Sequence, residues 1–108
     1  MSYCTVADVR AICDTDISDA EITNLITRTD ARIAMKIDVG SVTAAFLSDL
    51  SSSWTSYRCF LKDPNARSLG EYSERRETAM KMLKDEIDEM LAMAGGGVAI
   101  IATMEEVV

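Results

Sequence analysis

Apolar residues recur at steps of three and four along several stretches of the chain, which predicts amphipathic α-helices. The longest such stretch runs from Leu69 to Ala94, where a turn signal is followed by a helical pattern whose interior lacks glycine and proline. Its apolar positions fall on one stripe of a helix: Ala79, Met80, Leu83, Ile87, Met90, Leu91 and Ala94. Because a long helix with one apolar stripe must bury it, the remaining elements are expected to be helices that pack against it.

Helix start signals mark the first two elements. Thr5 is a suitable N-cap and Asp8 follows at the third helical position, which predicts a short helix within residues 1–13. The second helix is predicted over residues 19–38, because it begins with a capping box and ends near a glycine. Ser18 and Glu21 form the predicted capping box, and Ile17 and Ile22 form a hydrophobic staple beside it. Gly40 is the expected end of the helix.

A third helix is predicted over residues 43–62. Its expected packing face is Ala45, Phe46, Leu50, Trp54, Tyr57 and Leu61. The serine triplet at 51–53 weakens this helix, because serine hydroxyls compete for backbone hydrogen bonds. The helix is nevertheless expected to survive, because packing of its apolar face outweighs that cost, and a kink or break at the triplet is the main risk. Pro64 disfavours helix at the residue before it, so residues 63–72 are predicted to form a loop.

Three consecutive glycines, Gly95, Gly96 and Gly97, separate the last helix from an apolar C-terminal segment. The sequence therefore predicts a helical domain over 1–94 and a hinged arm over 95–108. The arm is β-prone, and such a segment typically finds a partner strand or groove, although a frayed terminus is the alternative. The expected contact residues are Val98, Ala99, Ile100, Ile101, Ala102, Met104, Val107 and Val108.

Charge and composition exclude several classes of function. The chain has 108 residues, which is one domain in size, and its net charge of −7 disfavours binding to nucleic acid or an anionic membrane. It has no histidine, and its three cysteines have no C-x-x-C spacing, so neither a metal site nor a disulfide framework is expected. No signal pattern or membrane-length apolar run is present, so a soluble protein made in a cytoplasm is expected.

The sequence offers no catalytic set, and neither an enzyme nor a bound cofactor is expected. The chain lacks the commonest general base, a phosphate-binding loop, a dinucleotide fingerprint and a nucleophile elbow. The segment Asp14-Thr15-Asp16 begins like a calcium loop, but Asp19 stands where glycine is required and Leu25 where glutamate is required. This segment is therefore interpreted as a polar turn before the second helix.

Three motifs occur in a characteristic order along the chain. The first is Y-C-T-V-A-D-V-R at 3–10. The second covers 17–33, beginning with I-S-D-A-E-I at 17–22 and continuing as a helical pattern to Ile33, and the third is S-L-G-E-Y-S at 68–73. Together they resemble the head–tail connector, or head-completion, proteins of tailed viruses with long non-contractile tails. The resemblance covers residues 3 to about 92. The chain departs from that family at Thr29, where alanine is frequent, and in the glycine-rich tail, which has no match.

The resemblance implies a few packed helices, no catalytic residues, and a homo-oligomeric ring of about a dozen subunits at the head–tail interface of a virion assembled in the host cytoplasm. The portal protein would lie above the ring and a tail-side stopper below it. The ring would extend the channel through which double-stranded DNA passes during genome packaging and ejection, without sequence-specific binding and with no role for a membrane.

Two hypotheses follow for individual residues. A ring of a dozen copies would carry a charge on the order of −80, which would let DNA slide without adhering. Asp85, Asp88 and Glu89 of the last helix are the expected acidic residues of the channel wall. The arm over 98–108 is expected to bind the portal or a neighbouring subunit by adding a strand.

Two other classes of function remain open at the level of sequence. The chain could be a small helical adaptor or regulatory module that binds one partner through its C-terminal arm. It could also be a non-catalytic subunit that contributes helices to the active site of another protein, although no residue pattern favours this. A monomer or dimer that engages a host protein would favour the adaptor.

Overall fold

The computed structural model describes residues 2–68 and 75–95. Within these ranges the chain forms a bundle of one short and three long helices, which confirms the predicted all-α class. Residues beyond Gly95, and with them the expected β-prone arm, lie outside the described residues. The helices are α1 (Val6–Arg10), α2 (Asp19–Lys36), α3 (Ala44–Lys62) and α4 (Arg76–Gly95).

The predicted helix starts at Thr5 and Ser18 are confirmed. Thr5 Oγ1 accepts a hydrogen bond from Asp8 N at 3.2 Å, and Asp8 Oδ2 accepts one from Thr5 N at 2.9 Å, so α1 carries a complete capping box. Ser18 Oγ accepts from Glu21 N at 3.3 Å. The Glu21 carboxylate lies 3.0 Å from Lys62 Nζ, so it forms an ion pair between α2 and α3 rather than the return bond of a capping box.

The connection between α2 and α3 begins two residues earlier than predicted. The backbone of Ile37 is extended, and the chain then makes a 3₁₀ turn over Val39–Ser41. Asp38 holds this turn, because its side chain accepts from Gly40 N at 3.1 Å and its carbonyl accepts from Ser41 Oγ at 2.8 Å. Local hydrogen bonds to an aspartate therefore end α2 before the expected glycine stop.

Helix α3 is the central element of the bundle and contacts α1, α2 and α4. It is continuous from Ala44 to Lys62, which confirms the expectation that the helix survives the serine triplet at residues 51–53. The serines lie inside the protein, where small side chains fit between neighbouring helices and their hydroxyls find acceptors. The buried residues of α3 are Leu50, Ser51, Ser52, Ser53, Thr55, Ser56, Cys59 and Phe60.

The serine hydroxyls of α3 reach all three neighbouring helices. Ser51 Oγ donates to Asp30 Oδ1 of α2 at 2.6 Å. Ser56 Oγ donates to the Val9 carbonyl of α1 at 3.4 Å. Ser53 Oγ donates to Glu86 Oε1 of α4 at 3.5 Å. These bonds compensate the cost of burying the hydroxyls, which would otherwise be about 1–3 kcal/mol each.

The predicted packing face of α3 was only partly right. Leu50 is buried, and Phe46, Trp54 and Tyr57 are half-buried, but Ala45 and Leu61 are exposed. The apolar stripe alone does not define the buried side, because α3 is covered on three sides and its serines line the contacts.

The stripe of α4 is confirmed. Ala79, Leu83 and Ile87 are buried, whereas Met80, Met90, Leu91 and Ala94 are half-buried. The buried apolar side chains form two clusters along the bundle. One holds Val9, Ile22, Ile26, Phe60 and Leu83 among others, and the second holds Ile33, Ile37, Leu50 and Ile87. The second cluster joins the end of α2, the start of α3 and the end of α4, so these three termini share one end of the molecule.

A two-stranded antiparallel sheet lies at the opposite end and was not predicted. Strand β1 (Cys13–Asp14) pairs with β2 (Arg67–Ser68) in the register Cys13 to Ser68 and Asp14 to Arg67. The residues of β1 were expected to belong to the first helical segment and the turn after it, and β2 falls in the predicted loop over 63–72. Strands of two residues have no alternation that a sequence pattern could reveal.

Arg76 fastens the start of α4 to the end of α3. Its guanidinium donates to the carbonyls of Phe60, Asp63 at 2.9 Å and Ala66 at 3.4 Å. The guanidinium carbon also lies 5.6 Å from the centroid of the Phe60 ring. One cation therefore satisfies carbonyl groups at a helix C-terminus, where backbone acceptors lack partners and the helix dipole favours positive charge.

Replacing Arg76 by alanine is expected to lower the free energy of unfolding by about 2–3 kcal/mol, because charge-assisted hydrogen bonds to partly buried carbonyls are lost. Arg76→Lys should recover only part of this loss, since an ammonium lacks the planar fork of donors. Urea denaturation followed by circular dichroism measures both. Lys81→Ala on α4, which removes an exposed cation and only a surface ion pair, is the control and should change stability little; an equal loss in that variant would contradict the interpretation.

Candidate functional site

The three acidic residues that the sequence assigned to a channel wall lie exposed on α4. Two of them are ion-paired within the helix: Lys81 Nζ lies 2.8 Å from Asp85 Oδ2, and Lys84 Nζ lies 3.0 Å from Asp88 Oδ2. Among the described residues, Glu89 has no cation within ion-pair distance. The pairing reduces the negative charge that this helix face presents, so Glu89 contributes more of its field than its two neighbours do.

The predicted binding arm and most of its hinge fall outside the described residues. Gly95 is the last residue of α4, whereas Gly96, Gly97 and the expected contact residues of the arm over 98–108 are not described. The structure describes the chain up to the end of α4, which lies at the same end of the bundle as the C-terminus of α2.

A polar cleft of about 610 Å³ lies beside the small sheet, lined by Asp14, Thr15, Asp16, Asn65 and Arg67. Asp63 organises this region, because its carboxylate accepts from Thr15 Oγ1 at 2.6 Å, Asn65 N at 2.9 Å and Asp16 N at 3.3 Å. The Thr15 hydroxyl is the main cause that holds the pKa of Asp63 below its usual value, and the Asn65 N–H adds to it. Through these bonds the Asp63 carboxylate connects the segment at residues 15–16 to the one at residues 63–65, which accounts for its position by a structural role.

A group of cations on α2 and α3 forms a second surface, which sequence reasoning missed. Arg28, Arg32 and Lys36 follow one another at intervals of four along α2 and are exposed. Burial lowers the pKa of Arg58 on α3, and the nearby charges of Arg32 and Arg28 lower it further. We call these four residues, together with Trp54, the basic face.

Arg58 and Trp54 are the half-buried part of the basic face. The Arg58 guanidinium carbon lies 5.9 Å from the centroid of the Trp54 ring, which is a cation–π distance. Arg58 Nε is buried and has no hydrogen-bond partner in the part of the chain that the structure describes. A buried N–H without an acceptor costs free energy, so this arginine is held in place at some expense to stability.

Most other cations are already engaged. Arg10 lies 2.7 Å from Asp19, Lys62 pairs with Glu21, and the lysines of α4 pair with their aspartates. Within residues 2–68 and 75–95, by contrast, no carboxylate lies within ion-pair distance of a cation of the basic face. The spacing of cations at 28, 32 and 36 is a sequence signal for this surface, although the net charge of −7 masks it. The approach of Arg58 is a tertiary contact, which no sequence pattern reveals.

The cysteines have the character of packing residues. Cys4, Cys13 and Cys59 are free and buried. Burial raises the pKa of the Cys13 thiol to about 12 and that of Cys59 to about 11, so both remain protonated and unreactive at neutral pH. Among the described residues there is no cluster of acidic and thiol side chains suited to a metal ion, and none of the described helices is long and apolar enough to cross a membrane.

No match to this chain was found among protein-family models, curated proteins or solved structures.

Replacing Asp63 by asparagine is expected to make the free energy of unfolding less dependent on pH in the acidic range. Because the folded-state pKa is lowered, the carboxylate stabilises the protein above the unfolded-state value of about 3.9, and this contribution is lost as pH falls through the folded-state value. The difference in unfolding free energy between wild type and Asp63→Asn should therefore be largest at neutral pH. It should shrink as the pH falls below the pKa of an ordinary aspartate. Urea denaturation across this pH range measures it.

Thr15 provides matched variants for the same prediction. Thr15→Val removes the main hydrogen-bond donor to Asp63 and should resemble Asp63→Asn, whereas Thr15→Ser keeps the hydroxyl and should resemble wild type. If Asp63→Asn kept the full acid dependence of the wild-type protein, the assigned role of this carboxylate would be wrong.

Proposed function

We propose that this protein is a ring-forming head–tail connector of a tailed virus, which binds the portal and extends the DNA channel toward the tail. The observation that carries the proposal is the occurrence, in order, of the three motifs at 3–10, 17–33 and 68–73. The first two fall on α1 and on α2 with its N-cap, and the third begins in β2. A small helical domain is also the fold that the resemblance implies.

The motif residues make contacts with one another that support reading them as one unit. Arg10 donates to Asp19 Oδ1 at 2.7 Å and to the carbonyls of Thr15 and Ile17. Tyr3 N donates to Asp30 Oδ2 at 2.9 Å, which ties the N-terminal segment to α2. These contacts give the first two motifs a common structural purpose, because together they fix α1 and the α1–α2 connection against α2.

In this role the protein acts by position and charge rather than by chemistry. The portal would hold one side of the ring and a tail-side stopper the other, with the virion head–tail interface as its place of action. An acidic channel wall would repel the phosphates of passing DNA. The C-terminal arm over 98–108 would supply the contact with the portal or with the next subunit.

The full-length protein is expected to bind the portal protein encoded in the same genome neighbourhood and to form a ring on it. The chain cut at Gly95 should lose this binding, because it lacks the arm. A pull-down with both chains, followed by negative-stain microscopy of the complexes, is the measurement. A ring formed by both chains would keep the connector and discard the arm as its docking element; no binding, with a stable monomer or dimer, would favour the helical adaptor.

Reversing the charge of Asp85, Asp88 and Glu89 to lysine is expected to slow genome ejection from assembled virions several-fold, because a positive wall would retain DNA phosphates. Glu89→Lys alone should give much of the effect, since Glu89 lacks an ion-pair partner among the described residues. Asp49→Lys, an exposed reversal on α3, is the control for Glu89→Lys, because both change the net charge by +2. Unchanged ejection in the triple variant would exclude α4 from the channel wall.

A further inference from the structure

Within the described residues, no carboxylate lies within ion-pair distance of any of the four cations of the basic face. Arg28 and Arg32 lie one helical turn apart on α2 and their charges also act on Arg58, and repulsion between like charges opposes folding. A protein that is otherwise rich in acidic groups gains nothing for its fold from such an arrangement. The face therefore fits an acidic ligand that the described residues do not include.

Apolar side chains adjoin these cations. Met35, which precedes Lys36 on α2, is 87% exposed, and Leu61, three residues after Arg58 on α3, is 60% exposed. Trp54 is half-buried, lies against Arg58 and packs on the second apolar cluster. A ligand for this surface should thus combine carboxylates with aliphatic residues, which is the composition of an amphipathic acidic peptide rather than that of a nucleic acid.

The chain itself contains a segment of this composition. Residues 98–102 are V-A-I-I-A, and Glu105, Glu106, Val107 and Val108 follow. The α4 helix ends at the same end of the bundle as Lys36, where the second apolar cluster joins the termini of α2, α3 and α4. The segment therefore begins beside the surface whose charge it complements.

The length of the segment is sufficient. Ten residues separate Gly95 from Glu105, which corresponds to about 33 Å of extended chain. The eight residues from Lys36 back to Arg28 occupy about 12 Å along α2. The reach to Glu105 thus exceeds the stretch of α2 from Lys36 to Arg28 by about 20 Å, which is available for crossing from the end of α4 to α2.

We propose that the basic face is the docking surface for residues 98–108 of the same chain, with Glu105 and Glu106 pairing with its arginines and the aliphatic residues covering Met35, Trp54 and Leu61. Attachment through a short linker gives the segment a high effective concentration, so binding within one chain is favoured over binding between chains at ordinary protein concentrations. This proposal concerns the isolated protein and goes beyond the connector function, in which a partner would compete for the same segment.

Energy transfer from Trp54 to the C-terminus tests the proposal in the full-length chain. Trp54 is the single tryptophan, and Val108→Cys adds a thiol that can be labelled with a dansyl acceptor while the three buried cysteines stay unreactive. We expect strong transfer that does not change on dilution. Transfer should fall by half or more in 1 M salt, where the screening length is about 3 Å.

Charge reversal identifies the contact. Arg28→Glu with Arg32→Glu, and separately Glu105→Lys with Glu106→Lys, should each reduce the transfer by half or more. Combining the four changes should restore most of it, because the charges are then complementary again. The glutamate variants leave the helical bundle over residues 2–68 and 75–95 unchanged in sequence, so they test the docking even if the arginine variants fold poorly.

A matched control is Lys81→Glu with Lys84→Glu on α4, which changes the net charge as much as the arginine pair and should leave the transfer intact. Equal transfer in all charge-reversed chains would overturn the proposal. So would transfer from unlabelled chains to labelled chains that carry Trp54→Phe, because the segment would then occupy a second copy. Neither outcome bears on portal binding, which the pull-down measures separately.

Discussion

The bundle depends on hydrogen bonds that satisfy the buried hydroxyl groups of its central helix, α3, which is covered on three sides by other helices. A buried hydroxyl without a partner destabilises a protein, and α3 places five Ser and Thr residues in its buried set. Ser51, Ser53 and Ser56 resolve this by each bonding to a different neighbouring helix. The same bonds that make their burial tolerable also fix the rotation of α3, because turning it would separate hydroxyls from acceptors on three helices at once.

Local signals in the sequence were sufficient for much of the fold. The N-caps at Thr5 and Ser18 and the stripe of α4 depend on residues close together in the chain, and the structure confirms them. The buried face of α3 could not be obtained in this way, because periodicity detects apolar side chains and the residues that fill its contacts are small and polar. The strands β1 and β2 and the reach of Arg76 depend on chain segments far apart in sequence, so no local pattern encodes them.

The candidate surfaces divide in the same manner. Exposure of Asp85, Asp88 and Glu89 followed from helical spacing, but their lysine partners change the field that these residues produce. The basic face was hidden for the opposite reason. Net charge is a sum over the chain, and it conceals a local excess of cations when acidic residues elsewhere are more numerous. Only the packing of α3 against α2 brings Arg58 into the company of Arg28 and Arg32.

The hydrogen bonds of Arg76 have a consequence for how the chain is closed between α3 and α4. The guanidinium ties the first turn of α4 to the last carbonyls of α3, and the pairing of β2 with β1 holds the chain just before residue 69. Both ends of the connection between α3 and α4 are thus secured by contacts outside it. The chain therefore closes this connection between two points that the bundle already holds, which lowers the entropic cost of closing it.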